Sequence, residues 1–155
     1  MSELVSYEEA LLENGRIMRT SVGTSMLPLL REKRDVVIIE RPSGRLKRYD
    51  VPLYRSADGR YILHRVLHVK KDSYVICGDH RTKKEYGITD DQIVGVLTGI
   101  IRDGKTIKTT DFSYRLYAHL WCDFFYVRVA IIKLKSLFSR VISRLFRKRK
   151  SEHKE

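Results

Sequence analysis

The chain has 155 residues, 43% of them hydrophobic and 32% charged, with a formal net charge of +12. That length suits one domain able to bury a core of its own without help from metals or disulfides. Its two cysteines, Cys77 and Cys122, are too far apart to form a metal or redox spacing. They read as ordinary thiols of a reducing compartment, with a single disulfide left open.

The charge is unevenly shared. Residues 112–155 hold eleven Lys or Arg against three acids, a balance of +8 that leaves only +4 for the first 111 residues. A basic tail calls for an anionic partner, either lipid headgroups or nucleic acid. Met1 is followed by Ser2, Glu3, Glu8 and Glu9 rather than by the charged-then-apolar run of a signal peptide. No stretch supplies the ~18 uncharged apolar residues of a spanning helix. The expected location is cytoplasmic, with peripheral membrane attachment open.

In chain order, residues 5–14 combine Val5, Ala10, Leu11 and Leu12 with Glu8, Glu9 and Glu13, a short helix stopped at Asn14-Gly15. Residues 16–22 alternate loosely as a strand, and Val36 to Ile39 is a β-branched run suited to a buried strand. Pro52 interrupts the next strand, Asp50 to Arg55, and suits an edge or the first residues of a strand better than a central position. Asp58-Gly59 is a hairpin signal leading into an arm from Tyr61 to Val69 that carries His64. Tyr74 to Cys77 is a strand ending at Gly78-Asp79, residues 80–91 are polar loop, and Ile93 to Ile101 is a long apolar strand followed by a closing hairpin to Lys108. Short strands at close spacing with Gly and Asp turns predict a mainly antiparallel β domain over residues 1–111, and residues 112–155 form a basic helical tail.

One stretch stands out. In Gly23-Thr24-Ser25-Met26-Leu27-Pro28, a small hydroxyl residue sits between a flexible Gly and a bulky Met, just before a Pro that ends regular structure. The plainer reading is a turn with local side-chain hydrogen bonds. Three later boxes raise the functional one: Leu63-His64-Arg65-Val66, Cys77-Gly78-Asp79-His80 and Gln92-Ile93-Val94-Gly95-Val96.

These four boxes, in this order over about residues 16–108, resemble the catalytic domain of the serine peptidases that include type I signal peptidases and LexA-type self-cleaving proteins. With His in the base position, the likeness is closest to the signal peptidases of archaea, spore-forming bacteria and the endoplasmic reticulum. The resemblance implies that fold of short antiparallel strands, Ser25 as nucleophile, His64 as general base and Asp79 as the acid orienting the imidazole. It places a second acid near Glu85, with Asp90 and Asp91 as weaker counterparts. His80 stands where the family has Asn, and the anchor that precedes the nucleophile in signal peptidases is not found in the 24 residues before Ser25.

The chemistry explains why such residues are needed. A serine is almost never ionised at neutral pH, so it requires an adjacent base. An imidazole with a pKa of about 6.5 can take its proton and return it to the leaving amine. The Ser25 N–H, with a donor from the Gly23-Thr24 turn such as the Thr24 hydroxyl, would hold the oxyanion. His68 lacks the following Arg-Val and is assigned to structure, and Lys70 and Lys71 read as solvated beside a turn.

In the tail, Leu116, Leu120, Phe124, Val127, Ile131, Leu134, Phe138, Val141 and Leu145 recur at intervals of three and four, a continuous stripe on one helix of about 30 residues. Arg115, Lys133, Arg140, Arg144 and Arg147 fall opposite, and Tyr117, Trp121 and Tyr126 lie on the flanks. The stripe could pack on the β domain or a second copy, or lie on an anionic bilayer through residues 112–150. Nucleic acid ranks last, because no reader motif is present.

The sequence therefore reads as a serine endopeptidase acting on an extended peptide or protein substrate, with no metal or organic cofactor implied. The alternative is an inactive relative that binds peptides and is held at a membrane or partner by its tail. Self-cleavage is disfavoured, since no helix-turn-helix or cleavable linker precedes Ser25.

Overall fold

The structure is a computed structural model that describes residues 7–152, with side chains described as far as Ser139. The chain divides into two compact units between Cys122 and Asp123, rather than at the expected boundary after residue 111. The first unit contains α1 (Tyr7–Asn14), β1 (Arg16–Thr20), β2 (Val36–Glu40), β3 (Pro52–Arg55), β4 (Tyr61–Leu63) and β5 (Arg65–Val69). It continues through β6 (Tyr74–Cys77), β7 (Glu85–Ile88), β8 (Ile93–Arg102), β9 (Lys105–Lys108) and α2 (Phe112–Asp123). The second unit is built on α3 (Phe125–Glu152).

The first unit is mainly antiparallel β with a short helix at its start, as the turn spacing predicts. One sheet runs β1-β2-β8-β3-β4, with β9 also paired to β8, and the second runs β5-β6-β7. The long β8 organises the first sheet. One edge pairs with β2, while β3 and β9 share the other at opposite ends, over Ile93–Val96 and Gly99–Arg102.

The main core joins Leu11 of α1, Ile17 of β1, Met26, Leu29 and Leu30 of the turn after β1, and Val37, Ile39, Leu53, Leu97 and Ile100 of the sheet. Each such side chain contributes about 1.5–3 kcal/mol on burial. A second cluster, with Tyr54, Val66, Tyr74 and Ile76, lies where the two sheets meet.

Three local expectations are corrected. The arm Tyr61 to Val69 is not one strand: it breaks at His64, where the chain leaves the first sheet as β4 and enters the second as β5. Residues 80–91 are not all loop, for β7 pairs with β6 there and Asp90–Gln92 forms a single 3-10 turn. Polar Glu85 and Gly87, a poor strand former, hid a strand only four residues long.

The third correction concerns the tail. The apolar stripe does not lie on one helix, because the chain breaks at Phe124 between α2 and α3. The face of α2 that enters the core is Tyr114 and Ala118, with Cys122 also buried, at a spacing of four. Leu116 and Leu120 stay exposed. Of the predicted stripe and its opposite face, Arg140, Val141, Arg144, Leu145 and Arg147 lie beyond the described side chains. Both cysteines are buried, and neither forms a disulfide.

Candidate active site

β6 runs between β5 and β7, and both neighbours are antiparallel to it. Arg65 at the start of β5 pairs with Cys77, and Glu85 at the start of β7 pairs with Ile76. The starts of β5 and β7 therefore meet at the C-terminal end of β6, where Gly78-Asp79 leaves the sheet. His64, Arg65, Gly78, Asp79 and Glu85, distant in sequence, converge there.

Ser25 reaches the same place from the first sheet. After β1 the chain folds into a turn held by backbone bonds from Ser21 N–H to Asp35 O (2.8 Å), Lys33 N–H to Ser21 O (2.7 Å) and Leu30 N–H to Met26 O (2.9 Å). Met26 is sunk in the core, so its half-buried neighbour Ser25 faces the cleft. The His80 N–H donates to the Ser25 carbonyl at 2.8 Å, tying the two loops together.

Gly78 separates the two groups. A Cβ built on it would lie 2.6 Å from the Ser25 carbonyl oxygen and 2.9 Å from His64 Nε2. No side chain fits in that gap, so the absence of one lets the serine turn and the imidazole approach each other. Ser25, Met26, Leu63, His64 and Arg81 line one cleft. Ser25 Oγ makes none of the hydrogen bonds found among the described residues.

The other ring nitrogen is fixed by Glu85. His64 Nδ1 stands 2.6 Å from Glu85 Oε1, and Tyr54 donates its hydroxyl to Oε2 of the same carboxylate at 2.5 Å. A carboxylate only accepts, so Nδ1 carries the proton and Nε2 is left as the acceptor facing Gly78. Burial pushes the His64 pKa below its ordinary value, and the charge and hydrogen bond of Glu85 oppose that shift. Burial thus favours the neutral imidazole over the charged one. Burial, followed by the hydrogen bond to Glu85, pushes the Tyr54 phenol upward, so it remains a donor.

Asp79, expected to orient the imidazole, does something else. Its carboxylate is completely buried and takes Arg65 Nε at 2.9 Å and Nη2 at 2.8 Å. The Tyr117 hydroxyl donates to Oδ2 at 3.0 Å, and Trp121 Nε1–H donates to the Asp79 carbonyl at 2.8 Å. Arg65 also donates to the Tyr49 carbonyl and contacts the Tyr114 ring and hydroxyl. At the break between β4 and β5 the two neighbours take different carboxylates, His64 that of Glu85 and Arg65 that of Asp79. Asp90, the weaker counterpart, accepts the Tyr74 hydroxyl instead.

The oxyanion expectation divides likewise. The Gly23 N–H is taken by Glu32 Oε1 at 3.1 Å, which removes it as a donor. Neither the Ser25 N–H nor the Thr24 hydroxyl donates to another of the described residues.

Sequence reasoning missed Tyr54, Tyr114, Tyr117 and Trp121. Tyr54 sits on a short strand, Pro52–Arg55, buried on both faces, with nothing in the sequence to mark its hydroxyl. By periodicity Tyr117 and Trp121 fall on the flanks of an amphipathic helix, whereas in the fold they stack at 5.4 Å and hold the Gly78-Asp79 loop. Their hydrogen-bonding tips four residues apart were the available signal.

Among the described residues, no group of three or more His, Cys, Asp or Glu could hold a metal ion. In comparisons with known proteins, no family model, no curated protein and no solved structure matches this chain.

Proposed function

We propose that this protein is a serine endopeptidase in which Ser25 is the nucleophile, His64 the general base and Glu85 the acid that orients it. The observation that carries the reading is the two-sided environment of His64. Nδ1 is held at 2.6 Å by a carboxylate, while Nε2 faces the Ser25 turn across Gly78. Ser25 Oγ would attack the peptide carbonyl while Nε2 accepts its proton and passes it to the leaving amine. Water then attacks the acyl-enzyme, with the same nitrogen as base, and releases Ser25. The Ser25 N–H, aided by Thr24, would hold the oxyanion.

Apart from this geometry, the reading draws on the ordered boxes that resemble the His-using signal peptidases. His80, which replaces the family's Asn, contributes its backbone N–H to Ser25 and is exposed, so this exchange leaves the loop contact intact. The cleft lies between the β1 and β4 ends of one sheet, whose free edges suit an extended peptide added as a strand.

A second reading, peptide binding without hydrolysis, is favoured by the lack of a hydrogen bond between Ser25 Oγ and Nε2. Catalytic hydrogen bonds commonly tighten only with substrate, which favours the enzyme. Incubation with a serine-reactive fluorophosphonate, beside Ser25→Ala and His64→Ala, discriminates. Labelling of wild type alone supports the peptidase, and equal labelling of all three rejects it.

A further inference from the structure

The second unit presents a surface that the cleft chemistry does not use. α3 has 28 residues and is about 42 Å long. Val127, Ile131, Leu134 and Phe138 follow one another at intervals of four and three, on one face, and are 42–68% exposed. Leu137 and Tyr126 flank them, at 59% and 80%. A soluble helix ordinarily buries such a stripe.

The charge around it identifies the occupant. From Val129 to Ser151, past the buried Arg128, the sequence holds eight Lys or Arg and not one acid. Lys133 falls on the side of α3 away from the stripe and Lys135 at its border, both exposed. We infer that α3 lies flat in the surface of an anionic lipid bilayer, the apolar stripe among the acyl chains and the cations among the headgroups.

Other occupants fit less well. A second copy would seal the stripe only by bringing two strongly positive helices together, with no acid before Glu152 on either to pair across the seam. Nucleic acid would satisfy the cations and leave Val127, Ile131, Leu134 and Phe138 in water. No described helix is long and apolar enough to cross a membrane, so the helix lies along the surface rather than through it. This inference stands independently of the peptidase reading.

The test is co-flotation of the full chain with vesicles of phosphatidylcholine alone or mixed with phosphatidylglycerol. Two variants accompany it, Ile131→Glu with Leu134→Glu, and Lys133→Glu with Lys135→Glu. All four positions are exposed, so circular dichroism and the melting curve should match wild type and show that folding is retained. Wild type is expected to float with the anionic vesicles and to stay down with the neutral ones. Each variant should lose at least ~10-fold in partitioning, and wild-type binding should fall as salt shortens the screening length from about 10 Å at 0.1 M to about 3 Å at 1 M. Failure of wild type to float with anionic vesicles overturns the inference. So does a solution dimer that Ile131→Glu with Leu134→Glu makes monomeric without any vesicle binding, or retention on an oligonucleotide in place of vesicles.

Discussion

Arg65 and Asp79 form a two-pronged ion pair with both side chains wholly out of solvent, at 2.9 and 2.8 Å. The pair joins the strand that follows His64 to the loop that follows Gly78. Burial alone would lower the Arg65 pKa, and the Asp79 carboxylate outweighs it, so the guanidinium stays charged. Asp79→Asn would therefore leave a buried cation without its counter-ion, a loss of about 3–5 kcal/mol. We expect a lowered denaturant midpoint and, because the Asp79 charge raises the His64 pKa less than Glu85 does, a smaller move of the pH profile to lower pH than Glu85→Gln produces, in whatever fraction stays folded. A variant as stable as wild type, but with a displaced pH profile, would return Asp79 to the role of orienting acid.

Glu85→Gln should behave in the opposite way. Half-exposed Glu85 is no part of the core, so stability changes little, while the imidazolium formed during proton transfer loses its counter-charge. The expected loss in probe labelling or peptide hydrolysis is about 10²- to 10⁴-fold. Glu85 raises the His64 pKa against the lowering effect of burial. Its removal lets the pKa fall further, so the acid limb of the rate profile must move to lower pH. A limb that moves upward, or does not move, would contradict the assignment.

Gly78→Ala tests the gap between the serine turn and the imidazole. The new methyl would meet the Ser25 carbonyl at 2.6 Å, Arg81 Cγ at 2.9 Å and His64 Nε2 at 2.9 Å. Arg81 can swing aside, but a backbone carbonyl cannot without moving its turn. Overpacking of this kind costs about 1–3 kcal/mol. A displacement of about 1 Å at reacting groups lowers rate by about 10²-fold. The variant should remain folded by circular dichroism and label at least that much more slowly; undiminished labelling would mean that the close approach is not needed.

The sequence carries the elements well and the contacts poorly. Ser25 and His64 are legible because each sits at a break in regular structure that Gly, Pro or a motif box announces. Glu85 and Asp79 are not separable in one dimension, because which carboxylate meets the ring depends on the side to which Arg65 points. Only the β5-β6-β7 register decides that. The tail misleads for a related reason. Hydropathy marks Leu116 and Leu120, yet the first unit accepts Tyr114 and Ala118, a smaller and more polar face that fits around Arg65. The break at Phe124 has no Gly or Pro to signal it.

Asp35 supplies a pH dependence unrelated to the cleft. It is fully buried behind the serine turn, where it accepts hydrogen bonds from the Arg31 backbone and side chain and from Arg102. Burial by itself would raise its pKa, but the hydrogen bonds from Arg102 and Arg31 prevail and bring it from 3.8 to about 2. A carboxyl depressed on folding adds stability that is complete above its unfolded pKa and disappears as pH falls toward the folded one. The difference corresponds to about 2 kcal/mol, present at pH 6 and lost between about pH 4 and pH 2. Urea melts across that range should show the decline in wild type and a flatter one in Asp35→Asn, which begins less stable at pH 6. Because Ser21 N–H bonds to the Asp35 carbonyl, a loosened Asp35 also frees the turn that presents Ser25. Labelling of Asp35→Asn should therefore fall at pH 6 as well, and a variant that labels like wild type while melting earlier would uncouple the ion network from the serine turn.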